Sequence, residues 1–181
     1  RGATLLDFWP HLVVLAGNVH IGGLVPRLSE TVLPVHSCVA VTAPLGDRLG
    51  EAITWRGAVS DSRGDDHHYR VVDGDRLMWS GGTSVRPRDP LKVAKRFKAE
   101  IKRVYPQLGE VEIAHLWSGV AGVAVHRMPQ IGEVSPGVWL ASAFAGHGLN
   151  TSAMAGELIA QAIVDGDDRW RLFLPYELVW T

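Results

Sequence analysis

The stretch Ala143–Ser152, AFAGHGLNTS, has the residue types and spacing for chemistry. Gly146 and Gly148 flank His147, and the segment AMAGELIAQAIVDGDD that follows has helical apolar spacing. The first turn of a helix carries backbone N–H groups without intrahelical partners and a partial positive charge. Glycines there let the backbone approach a flat or anionic ligand with no Cβ in the way. Thr151 or Ser152 is placed to cap the helix. The pattern presents N–H donors to a ligand, but Gly-x-Gly also makes plain tight turns, so spacing alone leaves both readings open.

Other reactive side chains carry weaker signals. His67 and His68 are adjacent, yet no third ligand stands at a metal-binding spacing, so they read as exposed loop histidines. Ser118 lacks the Gly-x-Ser-x-Gly setting of a hydrolase nucleophile. Cys38 is the sole cysteine, which excludes an internal disulfide or a cysteine-built metal site, and it reads as a small buried hydrophobe. Trp79 and Trp117 read as pocket walls or as core. Tyr69 and Arg70 either line one side of a sheet or pair across strands.

The elements that would position these residues alternate in type. His11–Ala16 (HLVVLA) reads as a buried strand ended by Gly17-Asn18. GLVPRLSETVLPV is a loop or short helix, His36–Thr42 a strand, and GDRLGEA a loop. Asp73-Gly74 sits between two apolar-rich runs and predicts a hairpin. Asp89-Pro90 predicts a helix start, Ala94, Phe97, Ile101 and Val104 its apolar stripe, and Pro106 its end. Its other face carries Lys92, Lys95, Arg96, Lys98, Lys102 and Arg103, read as the solvated side of an amphipathic helix. VEIAHLW, GVAVH and GVWLASA read as three short strands. Met154, Ala155, Leu158, Ile159, Ala162 and Ile163 form the stripe of a last helix capped by Gly166. The class is α+β, or mixed α/β.

The 181 residues suffice for one domain or two small lobes, and 46% hydrophobic with 20% charged residues is ordinary for a globular chain. With 18 basic and 19 acidic residues, no global field favours nucleic acid or a membrane surface. The single cysteine and the lack of a membrane-length apolar run or visible signal peptide point to a cytoplasmic setting. The chain begins at Arg1 rather than methionine and is expected to be trimmed or a piece of something longer.

Read in order, LWSGVAG, HRMPQIG and GVWLASAFAGHGLNTSAMAGELIAQAI resemble the C-terminal part of flavin-dependent oxidases of the D-amino-acid-oxidase-like superfamily. The matching positions are Trp117, Gly119, Arg127, Met128, Pro129, Ile131, Gly132, Gly146, His147 and Gly148. Upstream, VVLAGN, LPVHSCVAVTAPL and YRVVDGDRLMWSGG are similar to further segments of that family, in the same order. The family's Gly-x-Gly-x-x-Gly turn for the FAD pyrophosphate is absent from these residues; GNVHIGG has the wrong spacing. Where relatives acting on free amino acids tend to carry an arginine, two residues after Trp-x-Gly, this chain has Ala121. WSGVAG is closer to the gamma-glutamylputrescine oxidase branch, which oxidises a primary amine at the end of a longer chain.

The resemblance implies a large, mostly antiparallel substrate-domain sheet (31–106) with flanking helices, and the C-terminal remainder of an FAD-binding lobe (1–30 and 107–181). It implies an amine substrate giving a hydride to flavin, with oxygen as acceptor. Gly146, His147, Gly148, Leu149, Asn150 and Thr151 would face FAD, where His147 either donates or fills the turn; Tyr69, Trp117 and Arg127 would face substrate. FAD is expected for the full-length parent and weak or absent binding for this chain alone. No nucleic-acid or membrane partner is expected, and the uncovered flavin-side face is expected to favour self-association. The alternative is a folded, non-catalytic remnant or interaction module that does not bind FAD on its own.

Overall fold

The computed structural model describes residues 12–62 and 67–176. The chain divides into two compact units, Arg1–Pro34 with Ala121–Thr181, and Val35–Val120.

In the first unit, strands β1 (Val13–Leu15), β7 (Gln130–Ser135) and β8 (Val138–Ser142) form a sheet in the order β1-β8-β7. β1 runs parallel to β8 and β7 antiparallel to it. β8 is the central strand, and Trp139, Leu140, Ala141 and Ser142 are buried along it. Two apolar clusters use its two sides. Leu140 packs with Ile21, Leu28, Leu15 and Val25. Trp139 and Ala141 pack with Ile131 and with Ala155 and Ile159 of helix α4 (Gly148–Asp165). The short helix α1 (Pro26–Ser29) falls in the segment read as loop or short helix.

The second unit is a five-stranded sheet in the order β3-β4-β5-β2-β6, made by β2 (Val32–Thr42), β3 (Val59–Ser60), β4 (His68–Val72), β5 (Arg76–Ser84) and β6 (Ile113–Ala124). The pairings β2–β5, β3–β4 and β4–β5 are antiparallel. The predicted hairpin joins β4 to β5, with Asp73 (φ 53) and Gly74 (φ 84) both left-handed at the turn. Alternation sends Tyr69, Trp79, Ala40 and Cys38 into the core, where they meet Leu49 of α2 (Asp47–Ala52) and Val93, Phe97 and Ile101 of α3 (Pro90–Val104). Asp89 caps α3 as the sequence implies: its Oδ1 accepts from the Leu91 N–H at 2.9 Å, a contact of about 1 kcal/mol.

The mixed α+β class and the antiparallel sheet stand as expected, and several local expectations are corrected. GDRLGEA is not a loop; Gly46 (φ 60) turns the chain into α2, and the fully buried Leu49 holds it. β1 is not a buried strand. Val13 and Val14 are 37% and 48% exposed, since β1 has one strand neighbour among the described residues; His11 lies outside them. VEIAHLW and GVAVH are one continuous strand, β6, for Gly119 does not interrupt it. The stripe of α3 is Val93-Phe97-Ile101, and Val104 lies exposed. β7 is a strand where the sequence showed only a Met-Pro-x-Ile-Gly motif.

Candidate functional site

The glycine-histidine-glycine segment hangs between two well-anchored elements of the first unit. β8 delivers the chain, and Ala143 then takes a left-handed conformation (φ 57) with its side chain fully buried. Phe144 forms an antiparallel bridge with Val123. Ala145, again left-handed (φ 51), opens a 3-10 turn through His147, closed by the His147 N–H donating to the Phe144 carbonyl at 3.1 Å. α4 starts at once on Gly148.

Neither Thr151 nor Ser152 caps this helix, contrary to the sequence reading. His147 is the cap residue and supplies no side-chain bond to the first turn. The Thr151 hydroxyl instead donates back to the His147 carbonyl at 2.6 Å, and the Thr151 N–H donates to Asn150 Oδ1 at 3.0 Å. The difference is one of register: the helix begins at Gly148, well before the residue that a cap at Thr151 or Ser152 would require.

Among the described residues, the surface in front of this turn is open. Gly146 and His147 are exposed, Leu149 is 98% exposed, and a Cβ placed on Gly146 would meet nothing within 4 Å. No acidic side chain stands in the first turn of the 18-residue helix to offset its positive end. An uncapped helix start, bare backbone and no competing carboxylate fit a flat group that carries partial negative charge on one edge.

Arg127 belongs to the same unit, in the turn between β6 and β7. It is exposed and left-handed (φ 61), and its N–H donates to the Ala124 carbonyl at 2.9 Å. The other two residues assigned to substrate lie in the second unit and differ sharply. Trp117 is 49% exposed on β6. Tyr69 is core: its ring stacks on Trp79 at 4.5 Å, meets the Tyr105 ring edge-on, and its hydroxyl accepts from that of Tyr105 at 3.1 Å. Burial, then the neighbouring Tyr69 hydroxyl, push the Tyr105 phenol pKa up.

His67 is also not the exposed loop histidine the sequence suggested. It is buried, with Nδ1 3.6 Å from Glu100 Oε2, whereas His68 is exposed and hydrogen-bonded to the Ser60 hydroxyl at 2.8 Å. Room for the His67 ring comes from Gly81, where a Cβ would stand 2.6 Å from Nδ1. Glu100 further accepts from the Trp79 indole N–H at 3.1 Å and pairs with Arg96. No group of His, Cys, Asp and Glu suited to a metal ion occurs among the described residues. No helix among them is long and apolar enough to cross a membrane.

The fold is shared with oxidoreductases of known structure. L-proline dehydrogenase from P. horikoshii superposes with a TM-score of 0.69 at 18% identity, over 93% of this chain and 48% of that one. Glycine oxidase from Bacillus cereus gives 0.69 at 18% identity, over 94% and 46%. The chain belongs to the FAD dependent oxidoreductase (DAO) family, whose model matches residues 4–162. Among curated relatives, gamma-glutamylputrescine oxidoreductase of Escherichia coli is 29% identical over 168 residues, which span 91% of this chain and 39% of the relative. A probable oxidoreductase, OrdL, of Rhizobium meliloti is 30% identical over 148 residues, 82% of this chain and 34% of its own length. The chain thus spans less than two-fifths of the length of these relatives.

Proposed function

We propose that this chain carries the flavin-ring side of an FAD-dependent oxidoreductase that oxidises an amine at its C–N bond, with oxygen as electron acceptor. The observation that carries the reading is the bare, uncapped start of α4 beyond Gly146, in a chain whose family is flavin-dependent. Residues 1–30 and 107–181 would belong to the FAD lobe, and 31–106 to the substrate lobe. Bound flavin supplies hydride acceptance, which side chains alone do not provide.

The chain's own residues do the rest. The amides of Gly146, Gly148, Leu149 and Asn150 would hold the pyrimidine edge of the ring, those of His147 and Thr151 being engaged within the turn, and the aligned dipoles of α4 lower the energy of negative charge gathering there. His147, exposed at the cap position, can donate one further hydrogen bond to that edge. Trp117 and Arg127 are the exposed members of the predicted substrate set and remain its candidates; Tyr69 is left out because both its ring and its hydroxyl are engaged in the core. Ala121 offers no cation for a carboxylate, which supports an amine over a free amino acid.

This reading predicts ring-end recognition. Since the Gly-x-Gly-x-x-Gly turn is missing from these residues, riboflavin and FAD should bind with similar, weak affinity, and ADP should not displace either. Quenching of flavin fluorescence in titrations with the purified chain checks it. No saturable quenching would favour the non-catalytic interaction module, and displacement by ADP would contradict ring-end binding.

The exposed apolar edge of β1 supports self-association, for Leu12, just before it, and Val13 and Val14 within it stand open, and the strand has one neighbour among the described residues. Light scattering should show mass rising with concentration, and Val14→Lys should abolish the rise. A monomer at all concentrations removes this part of the proposal.

A further inference from the structure

Asn18 ends the VVLAGN segment after β1, a position to which the sequence assigns no role, yet it meets the entry to the glycine turn. Its backbone is left-handed (φ 49), a conformation asparagine tolerates better than most residues. Its Oδ1 accepts from the Ala143 N–H at 3.3 Å and from the Ser142 hydroxyl at 3.4 Å. Ser142 and Ala143 are both fully buried, so these donors have no recourse to water. Ala143 and Ala145 are both left-handed, a conformation costing an alanine about 1–2 kcal/mol, and two such residues within three need an external hold.

The same carboxamide explains a glycine on another strand. A Cβ added to Gly122 of β6 would collide with Asn18 Oδ1, and would also stand 2.7 Å from Val32 Cγ1. Gly122 is followed by Val123, whose bridge to Phe144 grips the turn from the opposite side of Ala143. Asn18, Gly122 and Ala143 therefore form one device: the glycine admits the carboxamide, and the carboxamide fixes the turn.

We propose that Asn18 is a positioning residue, holding the left-handed turn at Ala143–Ala145 so that the amides of Gly146 and of Gly148–Asn150 face flavin. The assignment rests on the flavin reading above. Its effect is transmitted through the backbone; Asn18 itself does not touch the cofactor.

The test uses the full chain and three variants. Asn18→Gly keeps a left-handed backbone free of strain and removes the oxygen; Asn18→Asp keeps an acceptor; Gly122→Ala drives the carboxamide away. NMR backbone shifts and coupling constants at Ala143 and Ala145 should leave left-handed values in Asn18→Gly and Gly122→Ala, and stay wild-type-like in Asn18→Asp. Riboflavin affinity should fall about fivefold or more in Asn18→Gly and return to within about twofold in Asn18→Asp. In the Asn18→Gly background, Gly122→Ala should shift Ala143 less than it does alone, leaving only what the Val32 contact adds. Unchanged Ala143 and Ala145 signals in Asn18→Gly would overturn the clamp. Altered signals with unaltered riboflavin affinity would overturn its positioning role. A wild-type chain that binds no riboflavin would sink the flavin reading and the purpose given to the clamp, while the alanine signals still decide whether the clamp exists.

Discussion

Trp79→Ala is expected to cost the second unit about 3–5 kcal/mol of stability, the largest single loss available there. The indole is fully buried and stacks on Tyr69, with the rings 9° from parallel. It shares its cluster with Leu77, Phe97 and Ile101, each fully buried as well. Alanine would leave a cavity that Tyr69, tied to Tyr105 by its hydroxyl, cannot swing to fill. It would also take from Glu100 the indole N–H that now satisfies Oε2, beside a buried His67. Trp79→Phe separates the two causes. It keeps most of the stack and loses the hydrogen bond, so about 1–2 kcal/mol is expected. Because the chain has two units, a single melting temperature would mix them. Hydrogen exchange of the β4 and β5 amides in urea reads the second unit alone, and a loss below about 1 kcal/mol for alanine would contradict the core described here.

That core shows how far local sequence signals reach. Asp73-Gly74, Asp89-Pro90 and Gly166 each fix a backbone conformation through their own chemistry, and each marks a turn or helix end where the sequence placed it. The face of a strand is another matter. Alternation around Tyr69 and Trp79 defines two faces, but which one receives α3 depends on residues that lie well beyond the strands, at Val93, Phe97 and Ile101. Tyr69 and Trp79 stand opposite each other in register, so they turn inward together, while the next pair, Arg70 and Met78, turns to the other side. A tyrosine assigned to substrate thus sits in the core. His67 escaped for the same reason: its burial depends on a missing Cβ at Gly81, on β5. Within the glycine-histidine-glycine segment, the open backbone was legible from two glycines before a helix. The early helix start was not, since Thr151 looks like a cap until its hydroxyl is seen to bond backward to His147.

Gly146→Ala should separate folding from ligand binding, and in opposite directions. Gly146 is not among the left-handed glycines, and a Cβ there would meet no atom within 4 Å. Alanine can therefore adopt the native conformation, and by restricting the unfolded chain it should stabilise the first unit by about 0.4–1 kcal/mol. If the glycine is there so that a flat ring can lie against the backbone, the added methyl occupies the ring's own space. Riboflavin affinity should then fall about tenfold or more, through loss of close contact with amides that cannot follow the displaced ring. Gly156→Ala is the control. Gly156 lies further along α4, is exposed, and also has nothing near its Cβ position, so it should gain about 1 kcal/mol of helix stability and leave flavin affinity unchanged. Fluorescence titration beside urea unfolding of the two variants reads both quantities. Equal flavin affinity in wild type and Gly146→Ala would mean that nothing approaches this backbone, and the open ground before α4 would be only a turn exposed to water.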